Sequence, residues 1–243
     1  LQAITRFGGA VSGGPNFAYD LCAERIAPDQ CTGLDLSSWR VAFNGAEPIN
    51  PDTLRTFAAR FAPCGFAPDA LKPCYGLAEA TLLVSVGTGT GRSSFRSVRQ
   101  SHLERHRVVP CAEDAADART LVSCGRPVAT TVIADPETSR RCAPGQVGEI
   151  WVSGGSIARG YWNQPDETQQ SFGARLADST EERGPFLRTG DLGFLLEGEL
   201  FVTGRLKDLI IIDGVNHYPQ DIERTVGGCH PALHAADCAA FSV

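Results

Sequence analysis

The residues best placed to do chemistry fall in two neighbouring stretches. Residues 188–193 read R-T-G-D-L-G, and residues 203–223 read T-G-R-L-K-D-L-I-I-I-D-G-V-N-H-Y-P-Q-D-I-E. A carboxylate beside a glycine turn, here Asp191, can accept both hydroxyls of a ribose, as the acidic residue of dinucleotide folds does. Arg205 can reach a ribose or a phosphate with its planar fork of donors. Each also has an ordinary reading, Asp191 as a turn residue and 204–208 as a charged hairpin. Two charged turns so close together, each next to an apolar strand, suggest a nucleotide site at a domain junction.

Two stretches upstream supply what such a site needs. Asn44-Gly45-Ala46-Glu47-Pro48 ends a short strand. Gly45 and Ala46 lack bulk, so a flat base can lie on their peptide units, and ligands of open α/β sheets bind outside the carboxyl ends of strands. Taken alone, the stretch also suits a surface turn. Tyr75-Gly76-Leu77-Ala78-Glu79 sets an aromatic ring four residues before a carboxylate. The ring can stack on a base, and a lone Glu79 suits magnesium, which takes one or two carboxylates and completes its shell with phosphate oxygens.

The elements that must position these residues follow from periodicity. Phe17, Leu21 and Ile26 recur near helical spacing after Gly13-Gly14-Pro15, and Leu54, Phe57, Ala58 and Phe61 do so after Pro51. Short apolar runs at 40–43 and 81–86 alternate with these helices, which predicts an α/β lobe over a largely parallel sheet. Beyond Val86 the texture changes to short runs at 120–123, 130–134 and 149–153 bounded by Gly, Pro or Asp, which predicts a small barrel or sandwich. A short helix is expected near 164–172, a turn at 203–208, a strand at 209–212 and a helix opened by Pro219 and ended at Gly227-Gly228.

Composition excludes several classes. Charged residues make up 21% and hydrophobic residues 42% of 243, and the formal net charge is −6, which argues against wrapping nucleic acid. No apolar run approaches the ~20 residues of a membrane helix. Nine cysteines are scattered without a C-x-x-C pair, which points to free thiols in a reducing cytoplasm and away from zinc. The stretch 87–93, G-T-G-T-G-R-S, fails the phosphate-loop spacing and lacks its lysine. His102, His106, His217, His230 and His234 share no metal spacing with carboxylates, and no G-x-S-x-G elbow occurs. A chain without methionine that starts at Leu1 and stops on Phe241-Ser242-Val243 reads as an internal slice of a longer enzyme.

N-G-A-E-P, Y-G-L-A-E-A-T, G-E-I-W-V-S-G-G-S-I-A-R-G-Y-W, R-T-G-D-L-G and G-R-L-K-D, in that order, resemble the adenylate-forming superfamily nearly end to end. S-G-G-P-N-F-A-Y-D-L-C, N-H-Y-P-Q-D-I-E and the stretch near 94–121 look like its fatty acyl-AMP ligase branch. The resemblance implies that Asn44, Gly45, Ala46, Glu47, Tyr75 and Gly76 frame adenine, Glu79 holds Mg2+, and Asp191 and Arg205 bind the ribose. It makes Lys207 the hinge of a small C-terminal domain. Ala78 departs from the threonine many members carry there and offers no hydroxyl to a phosphate, an alanine that the branch commonly shares.

On this reading residues 1–86 are part of the α/β lobe and 87–202 a β-rich lobe with an insertion at 94–121. The hinge is 203–208, and 209–243 start the C-terminal domain. The expected parent is cytoplasmic and uses ATP to convert a fatty acid to its acyl-adenylate. It then passes the acyl group to an acyl carrier protein, or to a carrier domain of a polyketide or nonribosomal peptide synthase. The insertion is expected to hinder the rotation that coenzyme A transfer needs. The phosphate loop and catalytic lysine of the resemblance lie outside 1–243, so the slice alone is expected to be inactive. Two rivals remain open at this point: an acyl-CoA synthetase, which shares every nucleotide motif, and a non-catalytic nucleotide- or acyl-binding module.

Overall fold

The structure, a computed structural model, describes residues 1–87, 95–178, 184–230, 232–233 and 238–242. Most of the 87–93 glycine stretch, together with Ser94, His234 and Val243, lies outside them. In chain order the elements begin α1 (Gln2–Phe7), β1 (Val11–Gly14), α2 (Asn16–Arg25), β2 (Val41–Asn44), α3 (Pro51–Phe61), β3 (Leu71–Leu77) and β4 (Leu82–Val86). They continue β5 (Phe95–Arg99), α4 (Gln100–Leu103), β6 (Ala118–Val122), β7 (Arg126–Pro127), β8 (Thr130–Ala134) and β9 (Gly148–Ser153). The last are α5 (Pro165–Phe172), β10 (Leu187–Leu196), β11 (Glu199–Arg205), β12 (Ile210–Ile212), β13 (Val215–His217) and α6 (Pro219–Gly228). They divide into two compact units interleaved along the chain.

The first unit comprises Leu1–Arg96, Thr120–Ala129 and Glu197–Phe201. Its sheet has the order β1-β2-β3-β4-β7. The first three strands are parallel, while β4 pairs antiparallel with β3 and β7 with β4. The sheet is therefore mixed, not largely parallel. Asn50 caps α3 by accepting the Asp52 N–H at 3.0 Å, and Pro51 fills the first helical position, where a missing N–H costs nothing. The face at three-and-four spacing, Leu54, Phe57 and Phe61, is buried as the sequence predicts.

Helix α2 turns differently from its spacing. Phe17 and Leu21 are exposed, and Tyr19 is the residue it buries. The Tyr19 ring stands edge-on to Phe57 at 4.8 Å and parallel to Trp39 at 6.4 Å, and its hydroxyl donates to the Phe43 carbonyl at 2.8 Å. An aromatic that finds both ring partners and an acceptor is better buried than Phe17, whose contacts would be apolar only.

The second unit comprises Ser97–Arg119, Thr130–Leu196 and Val202–Val243. A barrel or sandwich is predicted here; the described residues instead form a four-stranded sheet of order β11-β10-β9-β8, with β8–β9 and β9–β10 antiparallel, and a β12–β13 hairpin. Trp151, Phe186, Val132, Ala134 and Leu176 form a core cluster beside the sheet. Of the run predicted at 120–123, residues 120–122 fall in β6, which pairs with β5.

Residues 97–119 form a folded segment of this unit. Val98 bridges Pro110, the Arg99 N–H donates to the Val109 carbonyl at 2.9 Å, and Val98, Leu103 and Val108 are buried. Among the described residues no helix is long and apolar enough to cross a membrane.

Candidate functional site

In the first unit the strand β2 delivers Asn44 to Glu47 at its carboxyl end, as the sequence predicts. Gly45 has no alternative: a Cβ there would sit 2.8 Å from both the carbonyl oxygen and the Sγ of Cys74. Ala46 takes φ +74°, a left-handed conformation that costs an L-residue roughly 1–2 kcal/mol. The turn is held from outside by Asn16, at the start of α2. Its N–H donates to Glu47 Oε1 at 2.6 Å, its Nδ2 to the Pro48 carbonyl at 2.8 Å, and its Oδ1 accepts the Asn50 N–H at 3.1 Å. Such fixation is what keeps a strained ledge in place. Asn44 is fully buried, and neither its Oδ1 nor its Nδ2 has a partner among the described residues. A buried unmet donor or acceptor costs about 1–3 kcal/mol.

Tyr75 and Gly76 lie within β3 rather than in a turn, and Glu79 sits on the 3-10 turn Ala78–Ala80 that follows. Gly76 is obligatory, because a Cβ would collide with the Leu82 backbone carbonyl on β4. The pairing register slips between Tyr75 and Gly76, so the strand is bent beside the ring. Tyr75 is 8% exposed. Glu79 is half-buried, and no group of three or more His, Cys, Asp or Glu able to hold a metal occurs among the described residues. A carboxylate on a turn can supply one ligand to a magnesium ion whose other ligands are phosphate oxygens and water.

In the second unit R-T-G-D is not a tight turn between elements but a bulge inside β10. Arg188 stands opposite Trp151 and Leu192 opposite Glu149, so Thr189, Gly190 and Asp191 together face only Ile150. Gly190 adopts φ +71° with open space where a side chain would go. The extra residues turn Asp191 toward β11, where its Oδ1 meets Arg205 Nε at 3.2 Å. Asp191 is largely buried and Arg205 largely exposed, so the pair presents a held carboxylate and a reachable cation side by side. Lys207 is exposed on the 3-10 turn Leu206–Asp208 between β11 and β12.

The same unit ties 97–119 to the stretch after that turn. The Asn216 N–H and Nδ2 both donate to the Glu104 carbonyl, at 3.0 and 2.8 Å, and Nδ2 lies 3.0 Å from His106 Nε2. Burial pushes the His106 pKa down, opposed by the charge of Asp135, which favours a neutral ring whose Nε2 accepts. Arg119 pairs with Asp221 and covers the Tyr218 ring. Gly204 leaves room for that ring, since a Cβ would lie 2.9 Å from Tyr218 Cδ1.

Asn44, Gly45, Ala46, Glu47, Tyr75, Gly76 and Glu79 thus belong to one unit, and Asp191, Arg205 and Lys207 to the other. Asn16 and Glu149 are residues that sequence reasoning misses. Both act by hydrogen bonds across 30 or more positions, |i−j| being 31 for Asn16–Glu47 and 41 for Gly190–Glu149. Only their buried or turn-initial contexts, S-G-G-P-N and G-E-I-W, carried any signal.

Comparison with known proteins shows what the chain is similar to. The model of a family described as AMP-binding enzyme matches residues 1–162. The medium-chain-fatty-acid–[acyl-carrier-protein] ligase JamA of Moorena producens is 52% identical over the whole chain, which spans 41% of JamA. A 4-hydroxyphenylalkanoate adenylyltransferase of Mycobacterium marinum is 46% identical over 93% of the chain and 37% of its own length. Among solved structures, a fatty acid AMP ligase from Legionella pneumophila superposes with a TM-score of 0.82 at 48% identity, covering all of this chain and 42% of that one. A fatty acyl-adenylate ligase from L. pneumophila in complex with acyl adenylate and pyrophosphate gives 0.81 at 46% identity, with the same coverage. The chain therefore spans about two fifths of the length of the relatives it matches.

Proposed function

The chain belongs to the AMP-binding enzymes, in the branch of the fatty acyl-AMP ligases, and from that premise we propose that it carries the nucleotide-reading part of an enzyme that joins a fatty acid to ATP. The products are the acyl-adenylate and pyrophosphate, and the acyl group then passes to the thiol of an acyl carrier protein. The observation that carries this reading is the Asp191–Arg205 pair on its bulge, a carboxylate fixed where two vicinal hydroxyls can be received.

In this account Gly45, Ala46 and Glu47 offer a flat backbone ledge to adenine, with the unmet amide of buried Asn44 behind it, and Tyr75 and Gly76 border it. Asp191 and Arg205 bind the ribose. Glu79 supplies one carboxylate to Mg2+, whose charge offsets that growing on the phosphates as pyrophosphate leaves. Lys207 is the pivot, on an exposed turn between two strands.

The contacts of 97–119 with Asn216, Tyr218 and Asp221 support a ligase that withholds the acyl group from coenzyme A. They hold the stretch just beyond the pivot against a folded segment, so rotation there must break two hydrogen bonds to one carbonyl and a buried ion pair.

Fatty-acid-dependent exchange of labelled pyrophosphate into ATP by the intact protein tests the reading. Exchange with medium- or long-chain fatty acids supports it. Exchange only with aryl-alkanoates transfers the site to the chemistry of the mycobacterial relative's name, and none with any acid supports a non-catalytic module.

A further inference from the structure

The R-T-G-D bulge should not stand unaided. It carries two residues more than the strand beside it, and one of them, Gly190, has a left-handed backbone. Its first support is a carboxylate from the neighbouring strand. Glu149 on β9 is 2% exposed, and its two oxygens are divided between the two ends of the problem. Oε1 accepts the Gly190 N–H at 3.1 Å, at the apex of the bulge. Oε2 accepts Arg188 Nε at 2.9 Å and Trp151 Nε1 at 2.9 Å, with Arg188 Nη2 at 2.7 Å, at its entrance. Arg188 in turn lies over the Trp151 ring, 5.6 Å from its centroid, and donates to the Pro136 carbonyl.

A second pin completes the frame. Thr189 Oγ1 donates to the Ile150 carbonyl at 2.7 Å and accepts the Asp191 N–H at 3.1 Å. The backbone on both sides of Gly190 is therefore fixed, by a carboxylate on one side and a hydroxyl on the other. The buried charge of Glu149 is matched by one cation and by two further N–H donors, the arrangement in which a buried carboxylate is tolerated.

We propose that Glu149 is a positioning residue for nucleotide recognition: through Gly190 and Arg188 it sets the direction of the Asp191 carboxylate, and so the enzyme's preference for a ribose with both hydroxyls. The inference rests on the ribose reading of Asp191. A carboxylate is needed because every group it meets is a donor. Glutamine keeps the length but turns an NH2 toward either Gly190 N–H or the Arg188–Trp151 pair, and both already donate.

The test compares the intact protein with ATP, 2′-deoxy-ATP and 3′-deoxy-ATP in the pyrophosphate exchange assay. Wild type is expected to favour ATP, and Asp191→Asn to lose most of that preference. Glu149→Gln should lower the preference by about tenfold, the scale of one hydrogen bond to a charged group, through KM for ATP. Its kcat, and its rate with 3′-deoxy-ATP, should stay within about twofold of wild type. Thr189→Ser, which keeps the hydroxyl, should retain the preference. An equal loss on all three nucleotides, or no loss on any, gives Glu149 a structural role only and overturns the proposal while leaving Asp191 in place. Wild type without any preference for ATP removes Asp191 from the ribose and the proposal with it, and that result is read before any Glu149 variant is made. Circular dichroism checks the fold. Should the glutamine variant not fold, Glu149→Asp, which keeps the charge and draws it back by one methylene, enters the same comparison with the same two readings.

Discussion

Arg119 and Asp221 form an ion pair that water hardly reaches. Arg119 Nη1 lies 2.9 Å from Asp221 Oδ2, with the two side chains 8% and 17% exposed, and the guanidinium lies 4.5 Å from the centroid of the Tyr218 ring. Burial acts on both partners against the charged form: it pulls the Arg119 pKa down and pushes that of Asp221 up, and their mutual attraction opposes each shift. Arg119 Nη1 and Asp221 Oδ1 also lack a well-aligned hydrogen bond. The pair therefore specifies which surfaces meet more than it stabilises them.

Removing one partner should cost far more than removing both. Arg119→Met leaves a buried carboxylate with only the more exposed Arg224, 3.7 Å away, and should destabilise the fold by about 3–5 kcal/mol in denaturant unfolding. The double variant Arg119→Met, Asp221→Leu should recover most of that loss. Equal losses in single and double variants would mean that the ion pair is not the interaction at stake.

His106 makes the neighbouring contact with Asn216 sensitive to acid. Its folded pKa is lowered, so the neutral ring contributes stability that is fully present above its unfolded value near 6.5 and is lost as pH falls through the lower folded value. A protonated Nε2 would face the Nδ2 donor of Asn216. Denaturation midpoints should fall on going from neutral pH to about pH 5, and by less in His106→Gln. An identical pH dependence in both proteins would take His106 out of the contact.

Glu79→Gln keeps the shape of the side chain and removes its charge. Pyrophosphate exchange should drop, and the magnesium concentration needed for half-maximal rate should rise, by about tenfold or more. A parental rate across the whole magnesium titration would show that Glu79 is not the metal carboxylate.

Asp191→Ala in the intact protein should weaken ATP binding by roughly 1.5–3 kcal/mol, the range for hydrogen bonds to a charged group, with little change in thermal stability. Titration calorimetry reads this directly, and an unchanged affinity would remove Asp191 from the ribose.

The sequence was legible wherever the determinant is local. Asn50-Pro51 and the spacing of Leu54, Phe57 and Phe61 dictate α3, and the ordered words from N-G-A-E-P to G-R-L-K-D identify the family. The mixed sheet was legible in principle: four residues separate β3 from β4, too few for a parallel crossover. What stayed hidden depends on partners far along the chain. Tyr19 outcompetes Phe17 for the core because of Trp39 and Phe57, and the Asp191 bulge exists because Glu149, on another strand, receives its donors. Ala46 in a left-handed turn was hidden for a further reason, that its strain runs against local preference.

The proposed function is that of an adenylate-forming ligase whose acyl group goes to a carrier protein and not to coenzyme A. The intact protein, given ATP, magnesium, a fatty acid, and equimolar coenzyme A and phosphopantetheine-bearing carrier protein, should yield acyl-adenylate and acyl-carrier protein by mass spectrometry, with acyl-CoA a minor product. Deleting residues 97–119 should leave adenylation largely intact and raise acyl-CoA. Efficient acyl-CoA formation by the undeleted protein would contradict the account and make it an acyl-CoA synthetase.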